Sequence, residues 1–125
     1  MVIIMSVKSN LFSTLQNASQ KSKLYVYVDA SKYAYRFLKL LATQGIIKGF
    51  SREDLQYKVD LKKILISIKM HSRPGKQVYT KSKHIPVCKN GLGFYVLSTK
   101  DGLYTDNQAR SLNLGGELVC MISIA

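Results

Sequence analysis

The apolar residues of this chain switch period, from helical to alternating and back, and that switch bounds what it can fold into. Val7, Leu11, Leu15 and Ala18 recur at helical spacing behind Ser6, so a capped helix is predicted over residues 6–18. From Lys23 to Val28 the pattern alternates, with Leu24, Val26 and Val28 on one face and Tyr25 and Tyr27 on the other, which is a strand. Helical spacing returns in Ala34, Phe37, Leu38, Leu41 and Ala42, with Ser31 as cap and Gly45 as a left-handed terminator. Ile46–Phe50 reads as a strand, Ser51–Asp54 as a turn, and Leu55, Tyr57, Val59 and Leu61 alternate in the next strand. Residues 1–62 therefore read as an α-β-α-β-β subdomain whose helices cover one face of a small sheet.

After the Lys62-Lys63 break the chain changes character. Ile64, Ile66, Ile68 and Met70 alternate, then Ser72-Arg73-Pro74-Gly75 forms a rigid turn in which proline fixes one dihedral and glycine supplies the next. Val78-Tyr79 is a short strand, Lys81–His84 a basic loop, Asn90-Gly91 a turn and Phe94–Ser98 a strand. Asp101-Gly102 closes a hairpin onto Leu103-Tyr104-Thr105. Asp106 is the expected cap of a short helix, Asn107–Leu112, ending around Gly115-Gly116, and Leu118–Ile124 is an almost wholly apolar last strand. Residues 63–125 thus form a second subdomain, mostly antiparallel β with a short helix. The fold class is α+β with two small subdomains.

Charge narrows the partner. The net charge is +12, 19 basic residues minus 7 acidic. Residues 1–70 carry +8 (12 minus 4) and residues 71–125 carry +4 (7 minus 3), so the charge belongs to the body and not to a tail. From Lys62 to Lys100 there are nine Lys or Arg and no Asp or Glu. A one-signed patch running into the hydroxyls of Ser98-Thr99 suits a polyanion of fixed shape: cations hold phosphates, and neutral donors read what lies between. Lys81, Lys83, Lys89 and Lys100 are candidate phosphate contacts, Tyr79 a candidate stacking surface, and Glu117 a candidate acceptor for a base amino group or 2′-hydroxyl. Each has a plainer explanation: hydroxyls are common in hairpin turns, strand tyrosines are often half-buried, and an acid in a cationic protein often pairs with a neighbour.

Other chemistries find less support. His71, His84 and lysines could build a small ribonuclease, but nothing in the sequence brings the two histidines together. His84 and Cys88 lack further ligands for a metal, and Gly91-Leu92-Gly93 precedes a strand instead of a phosphate-cradling helix. No catalytic residue, metal, cofactor or small-molecule substrate is expected. Cys88 and Cys120 are far apart and read as buried thiols in a reducing compartment. No apolar run approaches a membrane span, so no membrane partner is expected. Met1–Met5 lacks the features of a secretory signal or an Arg-rich transit peptide, and the protein is expected to work where it is made.

Four blocks together are specific. Ser72-Arg-Pro-Gly75-Lys-Gln-Val-Tyr79, Gly91-Leu-Gly93-Phe-Tyr-Val-Leu-Ser98-Thr99-Lys-Asp-Gly102, Thr105-Asp106-Asn-Gln-Ala109-Arg110 and Gly115-Gly116-Glu117-Leu-Val-Cys120 resemble, in order and spacing, the family of small-subunit ribosomal protein number eight. The first half agrees more loosely, through Asn10–Ala18, Ser31-Lys32 and Leu40–Ile46. The resemblance implies a non-enzymatic protein that binds the central domain of small-subunit ribosomal RNA and meets neighbouring ribosomal proteins. It implies that Ser98, Thr99, Tyr79 and Glu117 make the main contact to an irregular RNA helix, with Arg73 and Lys76 near its backbone. Lys100 stands where the family usually has a third hydroxyl, Gln77 where it has an arginine, and Ser13, Thr14 and Gln16 where its first helix carries arginines. That drift, in a chain rich in Lys, Tyr, Ile, Ser and Asn, points to an organelle-encoded version, mitochondrial in preference to plastid or bacterial.

Overall fold

The structure is a computed structural model and describes residues 2–71, 77–87 and 93–124, with side chains in the first helix from Asn10 onward. Arg73, Lys76 and Lys89, the Pro74-Gly75 turn, Cys88 and Asn90-Gly91 lie outside the described residues. The chain divides into two compact units, Met1–Ile66 and Ser67–Ala125. The architecture is α+β, with an N-terminal α-β-α-β-β part and a C-terminal antiparallel sheet carrying a short helix.

In the first unit, α1 (Val2–Gln20) starts ahead of Ser6, which lies within the helix instead of capping it, and buries Leu11, Phe12, Leu15 and Ala18. Phe12 packs on Phe37 of α2 (Lys32–Thr43), ring centroids 4.7 Å apart. Ser31 caps α2 by accepting from the Ala34 N–H at 3.0 Å, and Gly45 closes it at φ +77°, both as expected. The buried stripe takes Leu40 with Ala34, Phe37, Leu38 and Leu41, while Ala42 is only half-buried. These helices belong to a three-stranded antiparallel sheet of order β1-β3-β2, where β1 is Tyr25–Asp29, β2 Ile47–Glu53 and β3 Gln56–Leu61.

Two further expectations about this unit fail for local reasons. Leu24 lies ahead of β1, outside the ladder, and is 69% exposed instead of inward. The turn expected at Ser51–Asp54 is strand as far as Glu53, because the ladder continues to the Glu53–Gln56 pair. A two-residue turn, Asp54-Leu55, remains, and Asp54 takes the left-handed conformation (φ +54°) that aspartate tolerates. At the unit's end the Ser19 hydroxyl donates to the Ile64 carbonyl and accepts from the Ile66 N–H, each at 2.8 Å. Sequence placed the joint at Lys62-Lys63; the units part after Ile66.

The second sheet has the order β4-β8-β6-β7, with β5 also pairing β8. Its strands are β4 (Ile66–Met70), β5 (Tyr79–Thr80), β6 (Gly93–Thr99), β7 (Gly102–Thr105) and β8 (Gly116–Ile124). One 3-10 turn, Ser82–His84, occupies the predicted basic loop. Leu97, Leu118, Ile85 and Ala109 of α3 (Asp106–Ser111) form the buried cluster, with Val78, Tyr95 and Tyr104 packed against it. The cap of α3 is Thr105, not Asp106. Thr105 accepts from the Gln108 N–H at 3.3 Å while the Gln108 side chain accepts from the Thr105 N–H at 3.1 Å. A threonine that also ends β7 can serve both roles, which leaves Asp106 as the first helical residue. Nor does α3 reach Gly115-Gly116: it stops at Ser111, and Asn113 reverses the chain at φ +55°. Cys120 is buried in β8.

Candidate nucleic-acid interface

The interface is organised by β8, which starts two residues after the last turn and is flanked by β5 and β6. Register pairs Tyr79 with Glu117 and Glu117 with Ser98. Directly opposed residues share a face, so these three candidates, called from separate stretches of sequence, form one row across three strands. The adjacent pair Leu97–Leu118 points to the other face, into the apolar cluster with Ala109 and Ile85. Packing of α3 on one side therefore fixes the polar row on the other.

Two glycines let the strands approach. A Cβ on Gly116 would collide with the Ser98 carbonyl oxygen, and one on Gly115 would lie 2.6 Å from the carbonyl oxygen of Thr80. The sequence showed the Gly-Gly pair but not its reason; a small-residue pair at the start of an apolar strand was the available signal. Leu118 donates its N–H to the Val78 carbonyl at 2.7 Å, which holds the strand beside Tyr79.

Within the row, the Glu117 carboxylate is the outstanding group. It is 9% exposed, and among the described residues its Oε2 is fully covered with no hydrogen-bond partner. A buried acceptor without a donor is costly and rare. Tyr79 is the opposite, 68% exposed, with its phenol donating to Gln77 Oε1 at 2.8 Å and its ring left open. Ser98 is half-buried. The Thr99 hydroxyl is already engaged: it donates to the Gly102 carbonyl at 3.0 Å and accepts from the Asp101 N–H at 3.2 Å, closing the β6–β7 hairpin. Lys100, in that turn, is exposed, as are Lys81 and Lys83.

Ser82 and Arg110 brace the fold beside the row. Ser82 donates to Asn113 Oδ1 at 2.6 Å, tying the 3-10 turn to the end of α3. Arg110 bonds Asp106 at 3.1 Å, Asn107 Oδ1 at 2.8 Å and the Pro86 carbonyl at 3.3 Å, so this cation braces the cluster. His71 donates its backbone N–H to Val119 and lies 5.5 Å from the Tyr95 ring, its pKa lowered by burial and then by Lys69. His84 is exposed on the 3-10 turn. Among the described residues no three His, Cys, Asp or Glu lie together to hold a metal ion, and no helix is long and apolar enough to cross a membrane.

The sequence matches the family model of Ribosomal protein S8 over residues 7–123. It is 34% identical to the small ribosomal subunit protein uS8 of Thermus aquaticus, over 91% of this chain and 95% of that one. The protein of that name from Caulobacter vibrioides is 34% identical over 91% of this chain and 94% of its own length. That of Phytoplasma australiense is 35% identical over the same shares, 91% and 94%.

Proposed function

The chain belongs to the ribosomal protein S8 family, and from that footing we propose that it is a non-enzymatic, structural constituent of the small ribosomal subunit. In this role its C-terminal unit grips the central domain of small-subunit ribosomal RNA and supports subunit assembly and translation, beside neighbouring small-subunit proteins. The observation that carries the RNA contact is the row Tyr79–Glu117–Ser98, with a buried Glu117 oxygen that has no donor among the described residues. An RNA 2′-hydroxyl or base amino group is such a donor, and the open Tyr79 ring beside it offers a stacking surface. Lys81, Lys83 and Lys100 flank the row as exposed cations, and Arg73, Lys76 and Lys89 are assigned with them to phosphate contacts. Ser98 reads the RNA by its hydroxyl, while Thr99 contributes through the hairpin that it closes and a remaining lone pair.

The test is a filter-binding titration of the full chain against a transcript of the central domain and a scrambled transcript of equal length. Preference for the cognate transcript is expected to fall in Glu117→Gln and Ser98→Ala and to persist in Lys81→Ala, which weakens both. Equal affinity of the unaltered chain for the two transcripts overturns the proposal.

The relatives above are bacterial, and a bacterial or plastid ribosome is the alternative setting. Composition supports a mitochondrial one, the matrix, through the weight of Lys, Tyr, Ile, Ser and Asn. Sedimentation of the endogenous protein with the small subunit from purified mitochondria, lost after ribonuclease, is the expected result. Recovery only with cytoplasmic ribosomes would exclude that setting.

A further inference from the structure

In a chain this basic, the acids of the first unit are segregated. Residues 1–66 contain eleven Lys or Arg and four acids, Asp29, Glu53, Asp54 and Asp60. The register of β1, β3 and β2 gives the sheet three rows on one face: Tyr25–Asp60–Gly49, Tyr27–Lys58–Ser51 and Asp29–Gln56–Glu53. The alternate residues Val28, Tyr57 and Val59 are buried, so these rows form the outer face. Three of the four acids thus stand on that face, and Asp54 sits in the adjoining β2–β3 turn.

Lys58 is the one cation that the register places in these rows, and it is occupied; Lys48, exposed at the bulge before Gly49, has no partner in the register. The Lys58 Nζ lies 4.6 Å from the centroid of the Tyr25 ring. Tyr25 and Tyr27 are 47% and 40% exposed, with rings edge to face at 5.7 Å. Glu53 reaches over to Tyr27, whose phenol pKa is raised chiefly by their hydrogen bond. The face therefore couples carboxylates to open aromatic rings, one of which already carries a cation. A polyanion is repelled here, and a cation is attracted twice, by charge and by ring quadrupole.

We infer that the outer face of β1-β3-β2 docks an extended, lysine- and arginine-rich segment of another polypeptide. The spacing fits one. Gln56 and Asp60 are four residues apart on β3, so the two carboxylate rows are about 14 Å apart at roughly 3.4 Å per residue. Cations four residues apart on an extended segment reach both rows, and one midway meets Tyr27 as Lys58 meets Tyr25. The inference is independent of the RNA surface, which belongs to the other unit.

The probe is a fluorescein-labelled peptide in which lysine alternates with threonine, titrated into the full chain at low salt. Binding is expected despite the protein's net positive charge. The triple variant Asp29→Asn, Glu53→Gln, Asp60→Asn is expected to weaken it about tenfold, the combined worth of three exposed ion pairs. Tyr25→Ser with Tyr27→Ser is expected to weaken it too, and neither variant to reduce affinity for the central-domain transcript. Carbodiimide coupling of peptide amines to protein carboxylates, mapped by mass spectrometry, should mark Asp29, Glu53 and Asp60 ahead of the exposed Asp101. Failure of the peptide to bind, binding untouched by the triple variant, coupling concentrated at Asp101, or photo-crosslinks of an RNA probe to this face would each overturn the inference. A folded circular-dichroism spectrum for each variant separates these outcomes from loss of structure.

Discussion

The two units handle their few acids in opposite ways. In the first, Asp29, Glu53 and Asp60 are exposed on the outer sheet face, where a carboxylate costs little and shapes the local field. In the second, Asp101 is exposed in the β6–β7 turn, but Asp106 and Glu117 are buried, at 4% and 9% exposure. Asp106 is satisfied there by Arg110 at 3.1 Å and by the Asn107 N–H at 2.8 Å. Glu117 has an oxygen with no such partner among the described residues. An unexplained buried acceptor calls for an incoming donor, whereas exposed acids beside tyrosines select a partner of opposite charge. One protein can in this way keep a polyanion to one unit and a polycation to the other.

The largest effect is expected where the backbone has no room. Gly116→Ala drives a methyl group into the Ser98 carbonyl, backbone against backbone, and disrupts the row itself. A loss of about 2–3 kcal/mol in unfolding free energy is expected, at the upper end for overpacking. Denaturant titration by fluorescence of the tyrosines checks it, and an unchanged midpoint would mean that the strands can part without cost.

Next comes the contrast between acids. Glu117→Gln keeps the shape and removes the charge; it should leave stability equal or raised while costing about 1.5–3 kcal/mol of affinity for the central-domain transcript. Asp60→Asn, exposed on the other unit, should stay within about 0.5 kcal/mol on stability. Melting curves and binding isotherms on the same samples decide it. A Glu117 variant that is both unstable and fully able to bind RNA would make the buried acid a structural one.

Much of this was legible in the sequence, and the failures are instructive. Periodicity placed both long helices, Ser31 and Gly45, because those signals act over one helical turn. It misplaced the α3 cap, because Thr105 serves strand and helix at once and local preference could not rank it against Asp106. It turned Leu24 inward, because alternation carries no information on where a ladder begins. The candidate row was legible only as separate residues. Which strands lie beside β8 is a long-range fact, and with it came the alignment of Tyr79, Glu117 and Ser98. The engagement of the Thr99 hydroxyl by Gly102 and Asp101 is a turn-geometry fact that composition does not reveal.

Smaller effects separate the roles of cations and hydroxyls within the second unit. Lys81→Ala with Lys83→Ala should lower affinity for cognate and scrambled RNA alike and flatten the salt dependence by roughly 0.7–0.9 in log–log slope per lost phosphate contact. Ser98→Ala should cost about 1 kcal/mol against the cognate transcript alone and leave the slope unchanged. Thr99→Val should instead appear in stability, since its hydroxyl closes the hairpin. A salt titration of all three variants makes the comparison.

The last effect is a pH dependence confined to the second unit. Burial, then Lys69, lowers the His71 pKa below its ordinary 6.5, so the folded protein holds the imidazole neutral. Its Nε2 is covered and has no partner among the described residues, so a proton added there would find no acceptor. Above pH 6.5 both folded and unfolded chains carry neutral histidine, and the stability is at its full value. As pH falls through 6.5 the unfolded chain binds the proton first, and stability declines until the folded pKa is passed. His71→Gln should flatten the dependence in that window. Thermal melts between neutral and mildly acidic pH check it, and a parental slope that survives in His71→Gln would assign the titration to another group.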